Sequence, residues 1–371
     1  MDFRLDDDRR MLGETLDRFL KENYPLETRH AIAASEDGFS REMWGKFAEL
    51  GVIGALFDEA VGGFGGQGDD LSVVFEALGR ALVVEPFLPT LLAGTLIADL
   101  GDEKQKAMLE GVISGETLVA FAHGEPQSRY ELEVVATRAG KAGDAWELTG
   151  EKSVVPGGGH ADWLVVSART SGEEGSPEGI SLFLVEGAAD GVTRRAYSTV
   201  DGYPAAEISL AGARASLLGE AGAAFPAIEA AVARGVTALC ADCLGAMEVA
   251  KDMTVEYMHT RKQFGVIIGK FQALQHRMAD VLIEIEMMRS AVINAAGNLD
   301  AGRVSRERFA SAAKNLAGRA GRQVAEEAIQ IHGGMGMTWE YPVGHYAKRI
   351  VMIDHLLGDA DHHMERFIAL G

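Results

Sequence analysis

The stretch RKQFGVIIGKFQALQH, from Arg261 to His276, closes one long helical pattern and opens another around a short cationic and aromatic turn. Before it, Met247, Ala250, Met253 and Tyr257 recur at helical spacing; after it, Leu274, Met278, Val281, Leu282 and Ile285 do the same. Arg261 is a permanent, fork-shaped cation suited to a pyrophosphate. Phe264 offers an aromatic face, Gly265 lets the backbone turn, and Phe271 with Gln272 starts the next helix, where an amide can hold ribose or phosphate oxygens. A second stretch, QIHGGMGMTWEYP from Gln330 to Pro342, ends a helix expected from about Ser305 to Ile331. It supplies the Gln330 amide and two glycines, Gly333 and Gly334, whose missing side chains permit close approach of a ligand or a backbone. Together the two stretches read as halves of one cofactor clamp. Composition alone leaves a plainer account open: a helix corner with Arg261 as a solvated C-terminal charge, core phenylalanines, and a glycine C-cap.

Outward from this region the texture changes twice. From Asp6 to about Leu118, apolar residues at helical spacing (Leu12, Leu16, Phe19; Trp44, Phe47; Val74, Leu78) predict an all-helical N-terminal unit, residues 1–117. Residues 118–221 carry short β-rich runs, TLVAFAHG, ELEVVATRAG, AWELTGEKSVVP, DWLVVSART, GISLFLVEG and AAEISLAGA, separated by Gly, Asp and Pro turns. They predict a small β-barrel or sandwich. Residues 222–371 return to long helices, a C-terminal bundle. The fold class is therefore mainly α with a middle β-domain, and the lack of alternating βαβ units argues against a doubly wound nucleotide fold. Gly63, Gly65 and Gly68 in GFGGQG match GxGxxG, but they fall between two helices, where a connecting loop capped by Asp69 or Asp70 is expected.

Composition bounds the function. With 371 residues, 47% of them hydrophobic, the chain can bury a large core. Its net charge of −20 argues against a general nucleic-acid surface, so an anionic ligand must meet local basic residues. Cys240 and Cys243 lie inside an apolar helical pattern without a second pair, and buried small residues are expected rather than a redox or metal site. The acidic, amphipathic N-terminus is unlike a signal peptide, and no run reads as long enough to span a bilayer, so a cytoplasmic protein without a membrane partner is expected.

The succession CLGAMEVAKDMTVEYMHTRKQFG, KFQALQH and AIQIHGGMGMTWEYP is similar to the C-terminal domain of the acyl-CoA dehydrogenase family. FDEAVGGFGG and VVFEALGRA resemble that family's first domain, and Glu125-Pro126 and Gly150-Glu151-Lys152 stand where its middle-domain motifs lie. The resemblance covers essentially the whole chain. It implies FAD at a subunit interface, an acyl-CoA substrate whose α proton goes to a carboxylate while the β hydrogen goes to the flavin, and an electron-transfer flavoprotein as acceptor. Carried over by position, Arg261, Gln263 and Phe264 would meet the FAD pyrophosphate and adenosine region. Phe271, Gln272, Gln330, Gly333 and Gly334 would complete the clamp, partly from a neighbouring subunit.

This sequence departs from the family pattern at three places. Gly124 replaces the Thr before Glu-Pro, with Tyr130 near the usual Ser; Val154, Val155 and Pro156 replace the aromatic-Ile-Ser/Thr run; and the two usual glutamate-base positions hold Leu357 and Gly235. Asp359, two residues beyond Leu357, is the candidate base, weighed against a role capping the helix that follows. His355, Asp359, Asp361, His362 and His363 have no recognised metal motif, and no metal is expected. The run GEPQSRY, GEKSVV and the GDADHH ending resemble the small-subunit branch of pimeloyl-CoA dehydrogenases. A homo-oligomer or a paralogous large subunit is the implied partner. Two other readings stand beside dehydrogenation: a non-catalytic subunit completing a paralogue's FAD site, and a flavin oxidase or monooxygenase on the same fold, such as nitroalkane oxidase.

Overall fold

The computed structural model describes residues 6–143 and 145–371. Helices come first: α1 (Asp7–Asn23), α2 (Leu26–Ala33), α3 (Arg41–Glu49), α4 (Gly68–Ala81), α5 (Phe87–Leu100), α6 (Glu103–Lys106) and α7 (Met108–Ile113). Strands follow: β1 (Val119–Ala122), β2 (Arg138–Ala142), β3 (Ala145–Pro156), β4 (Trp163–Arg169), β5 (Ile180–Glu186), β6 (Val192–Ser198) and β7 (Pro204–Leu218). The chain then enters α8 (Phe225–Thr260), a ribbon of β8 (Lys262–Gln263) and β9 (Val266–Ile267), α9 (Gln272–Gly297), α10 (Arg303–His332), α11 (Val343–His355) and α12 (Ala360–Ala369). This is the helical, β, helical succession expected from periodicity.

Pairing runs from β4 through β2, β3, β7 and β5 back to β4, which closes the sheet into a barrel; β1 joins at β4 and β6 at β7. Inside lie Leu148, Leu164, Val166, Phe183, Val185, Ile208 and Leu210, the alternate positions of their strands. One expectation fails locally. ELEVVATRAG is not a strand from its start, because the amides of Glu131, Val134 and Val135 bond to the carbonyls of Ser128, Glu131 and Glu133 in consecutive turns, and β2 begins only at Arg138. VTRRAYS, which is not among the β-rich runs quoted above, forms β6 by pairing with β7 from Val192 to Ser198.

Packing groups the described residues into two compact units, one built from the N-terminal stretch through Arg29, Gln67–Val83 and Val236–Gly371, the other from His30–Gly66 and Val84–Gly235. Within the first, α4 and α8 cross backbone to backbone. A Cβ on Gly79 would fall 2.1 Å from the Asp242 carbonyl, and one on Gly245 2.0 Å from that of Glu76. Glycine alone allows this approach. The same unit buries the Asp242–Arg349 ion pair between α8 and α11, and the Tyr346 hydroxyl donates to the Arg80 carbonyl at 2.7 Å.

One reading from sequence is corrected here: α8 is long and apolar enough to cross a bilayer, at 36 residues and a mean hydropathy of 1.3 over its most apolar window. Yet 89% of that window is buried within the protein, which accounts for its apolarity as a core helix. Cys240 and Cys243 sit on it, free and buried, and burial pushes the Cys240 thiol up to about 12. The GFGGQG loop follows a short 3-10 turn, Glu59–Val61, and leads into α4, whose first turn is closed by the Gln67 amide donating to the Asp70 carboxylate at 3.0 Å. It is a helix connector.

Candidate functional site

The RKQFG turn is a hairpin. Lys262 pairs with Ile267 and Gln263 with Val266, leaving Phe264 and Gly265 as the two turn residues, at φ 53° and 80°. A two-residue turn of this kind needs positive φ at both positions. Gly265 meets that requirement without strain, whereas Phe264 is held in a backbone region that side chains disfavour, with 91% of its surface exposed. Its ring meets that of Phe271 edge-on, centroids 6.2 Å apart. Phe271 caps α9 and Gln272 opens it; both are exposed, as are Arg261 and Gln263.

The second stretch ends α10. Gly333, at φ 62°, is its C-cap and its amide returns to the carbonyls of Gln330 and Ile329, so the glycine C-cap read from sequence is present. Gly334 has no such reason: its φ is ordinary and a Cβ there would meet nothing within 4 Å. Gln330, Gly333 and Gly334 are all exposed. What ties the ends of α8 and α10 together is His332, which the sequence did not single out. Its ring lies 4.4 Å from that of Tyr257 and 4.9 Å from that of Tyr341. Nδ1–H donates to the Ala328 carbonyl at 2.8 Å, which leaves Nε2 to accept from the Tyr341 hydroxyl at 3.2 Å. Burial holds this histidine below its ordinary pKa, in keeping with a neutral ring.

In the other unit, Glu125 and Lys152 form an ion pair at 2.7 Å with side chains 2% and 0% exposed. The Glu125 carboxylate also accepts from the amides of Ala136 (2.7 Å) and Thr137 (3.0 Å) and from the Gln127 side chain (2.7 Å). Lys152 Nζ donates in addition to the His123 carbonyl (3.1 Å) and Ser167 Oγ (3.0 Å). Ser167 in turn meets His123 Nδ1 at 2.9 Å. Every strong group here is satisfied, which is the condition for burying a pair of charges. The network pins the segment from His123 to Thr137 against the barrel and so sets the places of the altered residues. Gly124 takes the amide of Ser153 on its carbonyl at 2.8 Å, and a Cβ on it would meet only the Ser153 carbonyl, at 3.4 Å. Val154, half exposed, stands at φ 50° in the bulge between Lys152 and Val155, its amide 3.4 Å from Glu207 Oε1. A β-branched residue there is strained by about 1–3 kcal/mol.

Buried histidines make stability fall in acid. His123 and His363 are both held near a pKa of about 3 by burial. Below the ordinary value of 6.5 the unfolded chain takes up protons that the folded chain refuses. Stability is thus unaffected by these rings above 6.5 and drops as pH falls toward 3. Glu125 acts in the same direction lower down. Burial raises its pKa, but Lys152 and the hydrogen bonds to the carboxylate outweigh that and hold it at about 2, so its contribution is lost as pH falls from 4.5 through that value. Urea midpoints measured across this range are expected to decline throughout; a flat profile contradicts the neutral-ring assignment.

The two usual base positions carry no proton acceptor. Leu357 lies in the turn between α11 and α12, at φ 57°, and Gly235 is within α8. Asp359 is the N-cap of α12, its Oδ1 accepting the His362 amide at 2.9 Å, the capping role weighed for it from sequence. Of the histidine-aspartate group near it, His363 is engaged at both ring nitrogens, by Ser311 Oγ (3.2 Å) and the Leu357 carbonyl (2.9 Å). Among the described residues, no three His, Cys, Asp or Glu side chains gather to hold a metal ion.

Models of the acyl-CoA dehydrogenase N-terminal, middle and C-terminal domains match residues 6–116, 120–212 and 222–369 in turn. The chain belongs to the acyl-CoA dehydrogenase family. Its members are FAD-dependent oxidoreductases, and their three-part fold is the one described above. This chain is 31% identical to a 3-(aryl)acrylate reductase of Clostridium sporogenes, over 82% of this chain and 83% of that one. Among solved structures it is similar to the Tcur3481-Tcur3483 steroid ACAD (30% identity, TM-score 0.89, covering 98% and 97% of the two chains). The ChsE4-ChsE5 complex of Mycobacterium tuberculosis is similar at 27% identity and a TM-score of 0.89, covering 100% and 98%.

Proposed function

We propose that this chain binds FAD through Arg261, Gln263, Phe264, Phe271, Gln272, Gln330, Gly333 and Gly334, and serves as the small subunit of a two-component acyl-CoA dehydrogenase in the cytoplasm. The observation that carries the first half is Gly334. No packing among the described residues explains its missing side chain, and it follows exposed Gln330 by four residues while the exposed hairpin displays Arg261 and Phe264. Such a set fits a pyrophosphate and an adenosine approaching from outside. When bound, the flavin supplies the acceptor for the β hydrogen of the acyl thioester. This chain's part is to hold the cofactor; Leu357 and Gly235 leave the α proton to a carboxylate of a paralogous subunit, with Asp359 acting as a helix cap. The domains of such a subunit are 1–117, 118–221 and 222–371, and its electron acceptor is an electron-transfer flavoprotein.

Purification tests this reading. The chain alone is expected to carry FAD that an acyl-CoA does not bleach anaerobically, and a base-bearing paralogue co-expressed with it is expected to restore bleaching. Rapid bleaching by the chain alone overturns the need for a partner. The similarity to the steroid ACAD, and the loss of polar groups at Gly124 and Pro156, support a bulky acyl group; preference for short linear chains in an acyl-CoA panel counts against that. Gly124 offers a further measurement. Because a Cβ there finds room, Gly124→Thr is expected to fold normally and to retain FAD about fivefold more tightly, the value of one added hydrogen bond.

A further inference from the structure

One face of α10 is given over to a single loop. Ser311, Lys314, Asn315 and Gly318 recur at helical spacing and all are buried. Lys314, 0% exposed, donates through Nζ to the Asp354 carbonyl at 2.9 Å and to the Gly358 carbonyl. Asn315 Nδ2 donates to the Ala360 carbonyl at 2.8 Å, and Ser311 meets His363, whose Nε2–H donates to the Leu357 carbonyl. Asp354 Oδ1 accepts the Ala360 amide at 3.1 Å, and it reaches that place only because residue 318 is glycine; a Cβ there would lie 2.1 Å from it. Gly358 is required in the same way, since its Cβ would fall 2.5 Å from His363 Nε2. The carbonyls of residues 354, 357, 358 and 360 are thus all bonded, and Leu357 between them is fixed in the left-handed region. A leucine on a surface turn does not call for a buried ammonium beneath it. Burying Lys314 without a carboxylate bonded to it is costly, and the nearby Asp354 and Asp359 charges offset only part of that cost.

We propose that Lys314 is a positioning residue whose hydrogen bonds hold the Leu356–Asp359 turn as a ready seat for a proton-accepting carboxylate at position 357. The seat is intact in this chain and only the side chain on it has changed. A glutamate at 357 is no more strained than leucine in the same backbone. It would take the α proton of a bound acyl thioester onto a carboxylate oxygen, leaving the C–H electron pair on the thioester as an enolate. Return of a solvent deuteron to the α carbon completes an exchange that needs no oxidant. This rests on the family reading for position 357, whereas the role of Lys314 in holding the turn does not.

Two measurements separate those claims. In Lys314→Met, without flavin or substrate, the amides of Ala360 and His362 are expected to exchange hydrogen at least tenfold faster, while those inside α8, such as Leu239, are unchanged. Equal protection in the two proteins, or a uniform loss throughout, overturns the positioning role. Ser311→Ala, which removes only the hydroxyl partner of His363, keeps the comparison available should Lys314→Met fail to fold; it is expected to quicken the same two amides several-fold, and no change overturns the seat. In the FAD-bound protein, Leu357→Glu is expected to wash deuterium into the α carbon of a bulky thioester, 3-phenylpropionyl-CoA, Leu357→Gln is not, and the double variant Leu357→Glu/Lys314→Met is expected to lose at least tenfold of that exchange. Exchange by Leu357→Glu that is unaffected by Lys314→Met overturns the proposal. No exchange from Leu357→Glu in a protein shown by isothermal titration to bind the thioester overturns the ready seat; no binding in that titration instead sinks the assignment as an acyl-CoA site and leaves the amide result to decide on Lys314.

Discussion

Lys152→Met is expected to destabilise the middle barrel by about 3–5 kcal/mol, read as a lowered urea midpoint. The substitution leaves the Glu125 carboxylate buried without its counter-ion and frees the His123 carbonyl and Ser167 hydroxyl of their donor. A simple buried pair replaced on both sides by apolar residues often recovers most of the loss. Here the double variant Glu125→Leu/Lys152→Met is expected to recover little, because the amides of Ala136 and Thr137 then lose the acceptor they share. Full recovery in the double variant would show that the pair is an isolated one and that the segment from His123 to Thr137 is held by other contacts.

Arg261→Ala is expected to leave stability within about 0.5 kcal/mol of the parent, since the side chain is exposed. FAD retention should fall by roughly 10- to 150-fold, the equivalent of the 1.5–3 kcal/mol that a hydrogen bond to a charged group contributes. Gly334→Val is the complementary case. A Cβ at this position meets nothing within 4 Å among the described residues, so the unliganded protein should melt close to the parent while FAD is excluded. Normal FAD content in either variant would remove the clamp from this part of the surface.

Much of the local structure of the proposed clamp region was legible because it is built from local chemistry. Arg261, the Phe264-Gly265 turn and the Gly333 cap announce themselves by residue type, and the helices around them by spacing. The hairpin of β8 and β9 did not, because two-residue strands are too short to show alternation. β6 was hidden for a related reason: its VTRRAYS has no apolar pattern, and its pairing partner supplies the order. The strand expected from Glu131 failed the other way, since Glu125 and Arg169 draw that segment into turns, the latter through bonds to the carbonyls of Glu133 and Val135. His332 and Lys314 carried no comparable signal: the tyrosines that meet His332, Tyr257 and Tyr341, stand apart from it in the chain, and Lys314 shares its helix face with Ser311 and Asn315, which reads as an ordinary polar face.

From the sequence alone came the succession of helices, β-strands and helices, the family, the residues proposed as a cofactor clamp, and the absence of glutamate at positions 235 and 357. Each of these depends on residue identity or on short-range periodicity, which one dimension preserves. Only the tertiary structure showed that Gly79 and Gly245 bring α4 onto α8, that His332 joins the two clamp stretches, that Glu125 and Lys152 satisfy one another, and that the turn bearing Leu357 is gripped by Lys314. Those are contacts between residues far apart in the chain. The burial that gives them their energy exists only once the chain has folded.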